Sequence, residues 1–173
     1  MKRLDNLAPS EDFSGTWCNA NAVTSSVMEA ISFVTPLLEN FFIATVADGL
    51  VRGRDSTLDQ RCRDFICEEA SHTRGHRRFN AALLQYLGMT PPALALVQSL
   101  LNGARKRLSL PRRLLLVAAL EHFAAVLSKG YLSQETRWDF RSDYARELFV
   151  QHAREELAHR SVVFDLWLGK GSA

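Results

Sequence analysis

The sequence lacks any stretch that reads as a membrane span or a secretory leader. Its most apolar run, Leu114 to Leu127, is interrupted by Glu121 and His122 and falls short of the roughly 20 residues a spanning helix needs. No apolar segment of a signal peptide follows the charges of Met1-Lys2-Arg3-Leu4-Asp5. Cysteine is scarce. Cys18, Cys62 and Cys67 are odd in number and form no C-x-x-C pair, which points to a reducing, cytoplasmic compartment. Charge of one sign is lacking too: at a net +2, neither nucleic acid nor an anionic membrane is expected as a partner. There is no internal repeat, no low-complexity tract, and no apolar–polar alternation long enough for a sheet.

What is present is helical. The 173 residues, 47% apolar and 23% charged, suffice for one domain with a sizeable core. Residues 1–173 are expected to form a single all-α domain, with residues 1–20 as an irregular arm. Thr24-Ser25-Ser26 caps a short helix to about Val34, and Thr35-Pro36 resembles an N-cap with proline at the first helical position, opening a helix to about Arg52. Asp55-Ser56 opens a long helix to near Gly88, and Thr90-Pro91 one that ends near Gly103. Ser109-Leu110-Pro111 opens an apolar helix to Gly130. Ser142-Asp143 opens the last, to about Leu168, and Ser133 to Phe140 holds at most one turn.

On these helices the polar residues that should be outside lie inside. An α-helix turns about 100° per residue, so positions three, four and seven apart share a face. The second long helix has the stripe Leu58, Cys62, Phe65, Glu69, His72, His76, Phe79, Leu83, apolar at its ends and Glu-His-His in its middle. The last helix repeats this with Leu148, His152, Glu156, His159, Val163 and Leu166. Glu39 shares a stripe with Thr35, Phe42 and Val46, and Glu121 is flanked by the small residues Ala118, Ala124 and Ala125. One Glu from each of two helices and Glu-x-x-His from each of two others is the ligand set of a dinuclear metal centre in a helical bundle. A single Glu-x-x-His arises readily by chance on a solvated helix. Four carboxylates on apolar stripes do not, because an unpaired buried carboxylate is costly. Carboxylate and imidazole ligands without thiolate suit iron or manganese, and Cys62 lies two turns from Glu69, too far to join them. Glu68 and Glu155, one residue before the chosen glutamates, point about 100° away and are expected to be solvated or salt-bridged.

The segments Phe65-Ile66-Cys67-Glu68-Glu69-Ala70-Ser71-His72, Ala118-Ala119-Leu120-Glu121-His122-Phe123 and His152-Ala153-Arg154-Glu155-Glu156-Leu157-Ala158-His159 resemble the bacterial family described as predicted metal-dependent hydrolases, over about Trp17 to Trp167. The resemblance implies a ferritin-like bundle. The spacing is also similar to that of the di-iron p-aminobenzoate N-oxygenases, which implies Glu39, Glu69, His72, Glu121, His152, Glu156 and His159 as ligands. His76 has no place in that set. A haem-oxygenase-like di-iron fold would instead take Glu69, His76, Glu121, His152, Glu156 and His159, leaving Glu39 and His72 outside.

Three functions are therefore weighed. The first is a non-haem di-iron oxygenase or oxidase acting on a small organic substrate, by resemblance an amino acid or amine. It would use O2, two iron ions and an external electron donor, with Glu121 and Glu156 carrying the chemistry and a homodimer left open. The second is a dinuclear metal-dependent hydrolase, and the third a non-catalytic metal-storage bundle.

Overall fold

The computed structural model describes Leu4, Leu7 and residues 15–50, 56–133, 137–159 and 161–171. Its first helix, α1 (Ala22–Gly49), starts at Asn21, whose side chain accepts from the Thr24 amide and so satisfies one free N–H of the first turn. Thr35-Pro36 is expected from the sequence to open a separate helix, but Pro36 lies inside α1. A proline there has no N–H and leaves free the carbonyl four residues back, which is that of Ser32. Asn80 on the neighbouring helix supplies the missing donor: its Nδ2 reaches Ser32 O at 2.8 Å. The Thr35 hydroxyl bonds back to Ile31 O instead of capping. The helix continues because a partner helix takes the orphaned carbonyl.

The second helix, α2 (Ser56–Leu87), keeps its expected bounds and stops at Gly88, whose φ of +69° favours glycine. The next two, α3 (Ala93–Arg107) and α4 (Leu110–Leu132), each run past the glycine expected to end them, Gly103 and Gly130. A helical glycine costs only about 1 kcal/mol relative to alanine, too little to stop a helix by itself. The expected single last helix is two, α5 (Asp143–His159) and α6 (Val162–Gly171). Arg61 of α2 fixes the restart, donating to both the Ser161 hydroxyl and the Asp165 carboxylate. The expected end of the first long helix near Arg52 lies outside the described residues, as do residues 134–136 of the expected turn; α1 ends at Gly49 with Leu50 as its cap.

Side-chain pairs set the directions. Ser32 meets His76 and Asn80 while Glu39 meets Thr73, so α1 and α2 are antiparallel. His76 meets His152 while Glu68 meets His159, so α2 and α5 are antiparallel as well. α4 packs along α5 and α6, and α1 also touches α4; α3 lies against α1 with no buried residue of its own. The result is the all-α bundle expected, with four long helices around one axis.

Two apolar clusters fill the bundle ends. One gathers Trp17, Met28, Phe33, Phe79, Leu83, Tyr144 and Phe149. Trp17 brings the N-terminal arm into it, stacked near Phe149 and edge-on to Phe79. The other gathers Phe42, Val46, Cys62, Phe65, Leu114, Val163 and Leu166. Between them, along every long helix, the buried residues turn polar: Glu39, Glu69, His72, His76, Glu121, Glu156 and His159. By length and hydropathy alone α1 and α4 could each cross a bilayer, α4 extending beyond the Leu114–Leu127 run. Both, however, bring a buried glutamate to this central band, as core helices of a bundle do.

Phe79 is fully buried and Phe123 is 60% exposed. Phe79→Ala should lower the unfolding free energy by about 3–5 kcal/mol, while Phe123→Ala leaves it within about 0.5 kcal/mol. Urea denaturation followed by circular dichroism measures both. Equal losses would place the core elsewhere.

Candidate metal centre

Each candidate donor reaches the central band from an expected helix: Glu39 from α1, Glu69 and His72 from α2, Glu121 from α4, and His152, Glu156 and His159 from α5. Glu69 and Glu121 are at most 1% exposed. Six of the residues carry buried side-chain atoms with no hydrogen-bond partner: Glu39 Oε1, both oxygens of Glu69 and of Glu121, His72 Nδ1, Glu156 Oε2 and His159 Nδ1. So many orphaned donors and acceptors in one place call for a cation, because burying such groups unpaired costs several kcal/mol.

The distances fit. His72 Nδ1 lies 3.7 Å from Glu39 Oε1 and 3.8 Å from Oε1 of both Glu69 and Glu156. His152 Nε2 lies 3.0 Å from Glu156 Oε1 and 3.6 Å from Glu39 Oε1. His159 Nδ1 is 2.7 Å from Glu69 Oε1, out of line for a hydrogen bond, and 3.9 Å from Glu156 Oε1. Two donors each about 2.1 Å from one cation sit about 3.0 Å apart when adjacent and about 4.2 Å when opposite. Most of these separations fall in that interval. Two groups of three converge closely, Glu39–His72–His152 and Glu69–Glu156–His159. Glu121 belongs to neither, yet Glu156, Glu69 and Glu39 are near enough to act on its charge.

The outward ring nitrogens are held as well. His72 Nε2 pairs with Glu155 Oε2 at 2.5 Å, and His159 Nε2 with Glu68 Oε2 at 2.6 Å. Each glutamate reaches across to the histidine of the other helix, leaving Nδ1 of both rings facing inward. A metal-ligating histidine commonly donates its other N–H to a carboxylate in this way. These two residues were expected only to be solvated or salt-bridged. The sign available in the sequence is that both helices carry the same Glu-Glu-x-x-His, with the extra glutamate in the same place. Asp165 pairs with Arg61 and Cys62 sits in the apolar cluster, so neither joins the donors. His76 joins neither group: Nδ1 meets Ser32 Oγ and Nε2 meets His152 Nδ1, both at 2.8 Å. Glu39 and His72 thus lie within one of the two converging groups, whereas His76 lies outside both.

The electrostatics show what burial without a cation demands. Burial raises Glu121 to about 10, helped by Glu156, Glu69 and Glu39. Burial raises Glu39 well above the carboxylate range, with Glu69 adding to it and His72 and Thr73 opposing. Burial would also raise Glu69, but His159 and His72 outweigh it and hold it at about 2. Burial alone would lower His72, but Glu155, Glu69 and Glu39 lift it to about 10. His76, buried with no carboxylate against it, is lowered well below its usual value by burial and then by His152 and His72.

A family model described as "predicted metal-dependent hydrolase" matches residues 3–172. The chain belongs to that family. Neither a curated protein nor a solved structure matches it.

Metal uptake must displace the protons held at neutral pH by Glu121 and His72, since coordination needs the deprotonated forms. Apparent affinity therefore rises with pH as long as the pH stays below their raised values, about 10 for Glu121 and His72. Calorimetry in buffers of different ionisation enthalpy should show at least one proton released per ion, a gain of about tenfold per pH unit. Affinity flat with pH would contradict this charge arrangement. Glu68→Ala and Glu155→Ala should each weaken binding about 10–100-fold, read in the same titration.

Proposed function

We propose that this chain is a dinuclear metal enzyme whose metals are held by Glu39, Glu69, His72, Glu121, His152, Glu156 and His159. The observation that carries the nuclearity is charge. Four buried carboxylates, when ionised, bring four negative charges into a band closed at both ends by apolar clusters, and no lysine or arginine is among the donors. Two divalent ions balance them. The donor set is oxygen and nitrogen only and suits iron or manganese, with zinc accommodated by the imidazoles.

For the reaction we infer O2-dependent oxidation of a small organic substrate, in a di-iron oxygenase or oxidase, from an oxygen and nitrogen donor set that suits iron and a ligand spacing similar to that of the di-iron N-oxygenases. Two Fe(II) ions, when bound, supply the electrons for O2 reduction that no side chain here can give. The apolar clusters close the two ends of the polar band, and among the three imidazole donors His152 is the most exposed. Glu68 and Glu155 lock the His159 and His72 rings. An external electron donor and a cytoplasmic setting, in keeping with three free cysteines, belong to this reading.

The family description supports the second reading, a dinuclear metal-dependent hydrolase, and is the comparison that bears most directly on the reaction. There the centre would activate water for attack on an ester, amide or phosphate. The donors include no cation to meet the developing oxyanion, and His122, the free histidine nearest in sequence, is exposed.

Anaerobic loading with Fe(II) should give two ions per chain by elemental analysis, with an integer-spin Mössbauer signature that changes on exposure to O2. One ion per chain after full loading would remove the dinuclear centre. Two ions that are inert to O2, with zinc- or manganese-loaded protein cleaving a panel of activated esters and phosphates, would decide for the hydrolase.

A further inference from the structure

Three histidines surround the centre, and only two are backed by carboxylates. The third, His152, is backed by His76, which the metal set does not use. Behind His76 stand Ser32 and Asn80, and behind them Pro36. The whole assembly is buried: Ser32 and His76 are 0% exposed and Asn80 8%.

We infer that Asn80, Ser32 and His76 form a one-way hydrogen-bond chain, opened by Pro36, that sets which ring nitrogen His152 offers to a metal, and that this nitrogen is Nε2. The direction follows link by link. Pro36 has no N–H, so the Ser32 carbonyl is free to accept from Asn80 Nδ2 at 2.8 Å. A carbonyl can only accept, which fixes the Asn80 amide with its Oδ1 toward the Ser32 hydroxyl, 2.7 Å away. Oδ1 can only accept, so the single hydroxyl proton of Ser32 is given to it. Ser32 Oγ then has only lone pairs left for His76 Nδ1, so Nδ1 carries the proton. A fully buried His76 with no carboxylate beside it is neutral, and its Nε2 is bare. That Nε2 accepts from His152 Nδ1–H at 2.8 Å. His152 Nε2 is left to face Glu156 and Glu39. Reversing any one link sets two lone pairs or two protons against each other.

His76, Ser32 and Asn80 are therefore positioning residues. Their role differs from that of Glu68 and Glu155, because a neutral chain fixes the ring without adding negative charge behind it. Pro36, which breaks the rule for helix interiors, is what leaves the first carbonyl open to Asn80.

The inference rests on the metal centre proposed above, and the test separates the two. Full-length protein labelled with 15N-histidine is studied by long-range 1H–15N correlation, metal-free and then with Zn(II) as a diamagnetic probe. In the metal-free protein His76 should read as the Nδ1–H tautomer with bare Nε2. With Zn(II), His152 should show metal on Nε2 and a retained Nδ1–H. Ser32→Ala should mix the His76 tautomers and weaken Zn(II) binding roughly tenfold or more. Ser32→Thr, which keeps the hydroxyl, should restore both. A His76 proton on Nε2, Zn(II) on His152 Nδ1, or a Ser32→Ala protein with unchanged tautomer and affinity would overturn the chain. The His76 reading needs neither a variant nor a metal, so a misfolded Ser32→Ala leaves it intact. Failure of the unmodified protein to bind Zn(II) would instead overturn the centre on which the chain acts.

Discussion

Four carboxylates enclosed between two apolar clusters are the constraint on which this bundle turns. Water would solvate them, but Phe42, Phe65 and Val46 close one end and Phe33, Phe79 and Phe149 the other. Without cations the groups settle their charges by holding protons: Glu39 and Glu121 as acids, His72 and His159 lifted against neighbouring carboxylates. That solution leaves acceptor atoms unpaired. Bound cations would replace the protons and at the same time satisfy the orphaned oxygens and nitrogens. Filling the centre would therefore also stabilise the fold, as linkage between binding and folding requires.

The same constraint fixes how α2 and α5 meet. Each carries Glu-Glu-x-x-His, and they run antiparallel with each first glutamate holding the other helix's histidine. A slip of one residue would rotate a helix face by about 100° and advance it by about 1.5 Å, breaking both pairs at once. Register is thus set by two crossed polar bonds flanking the centre, with aromatic packing such as Phe65 against His159 behind them.

Much of this was legible in the sequence because the signal is a contradiction: charged residues on stripes that are otherwise apolar. Glu39, Glu69, His72, Glu121, His152, Glu156 and His159 lie on stripes that helical periodicity marks, and all but Glu121 fall in the two converging groups. Contacts between helices were not legible. Periodicity places Glu68, Glu155 and Asp165 about the helix axis but does not name the partner across the groove, which is His159, His72 or Arg61. The proline misled for the same reason. Thr35-Pro36 has the local form of a helix start, and only a residue 44 positions on, Asn80, makes an unbroken helix tenable by taking the Ser32 carbonyl. The break between α5 and α6 depends likewise on Arg61 from another helix.

The three imidazoles are not equivalent, and their difference coincides with a difference in exposure. His72 and His159 are sealed, their side chains 2% and 3% exposed, and each is backed by a glutamate that strengthens the ring as a ligand. His152 is 17% exposed and backed by a neutral ring. A ligand with no anion behind it is the weaker base and holds its cation less firmly. His152 shares its donor group with His72 and stacks on it at 4.2 Å, so one group joins a ring backed by a carboxylate to a ring backed by a neutral imidazole. The most exposed of the three rings is therefore also the one with no anion behind it.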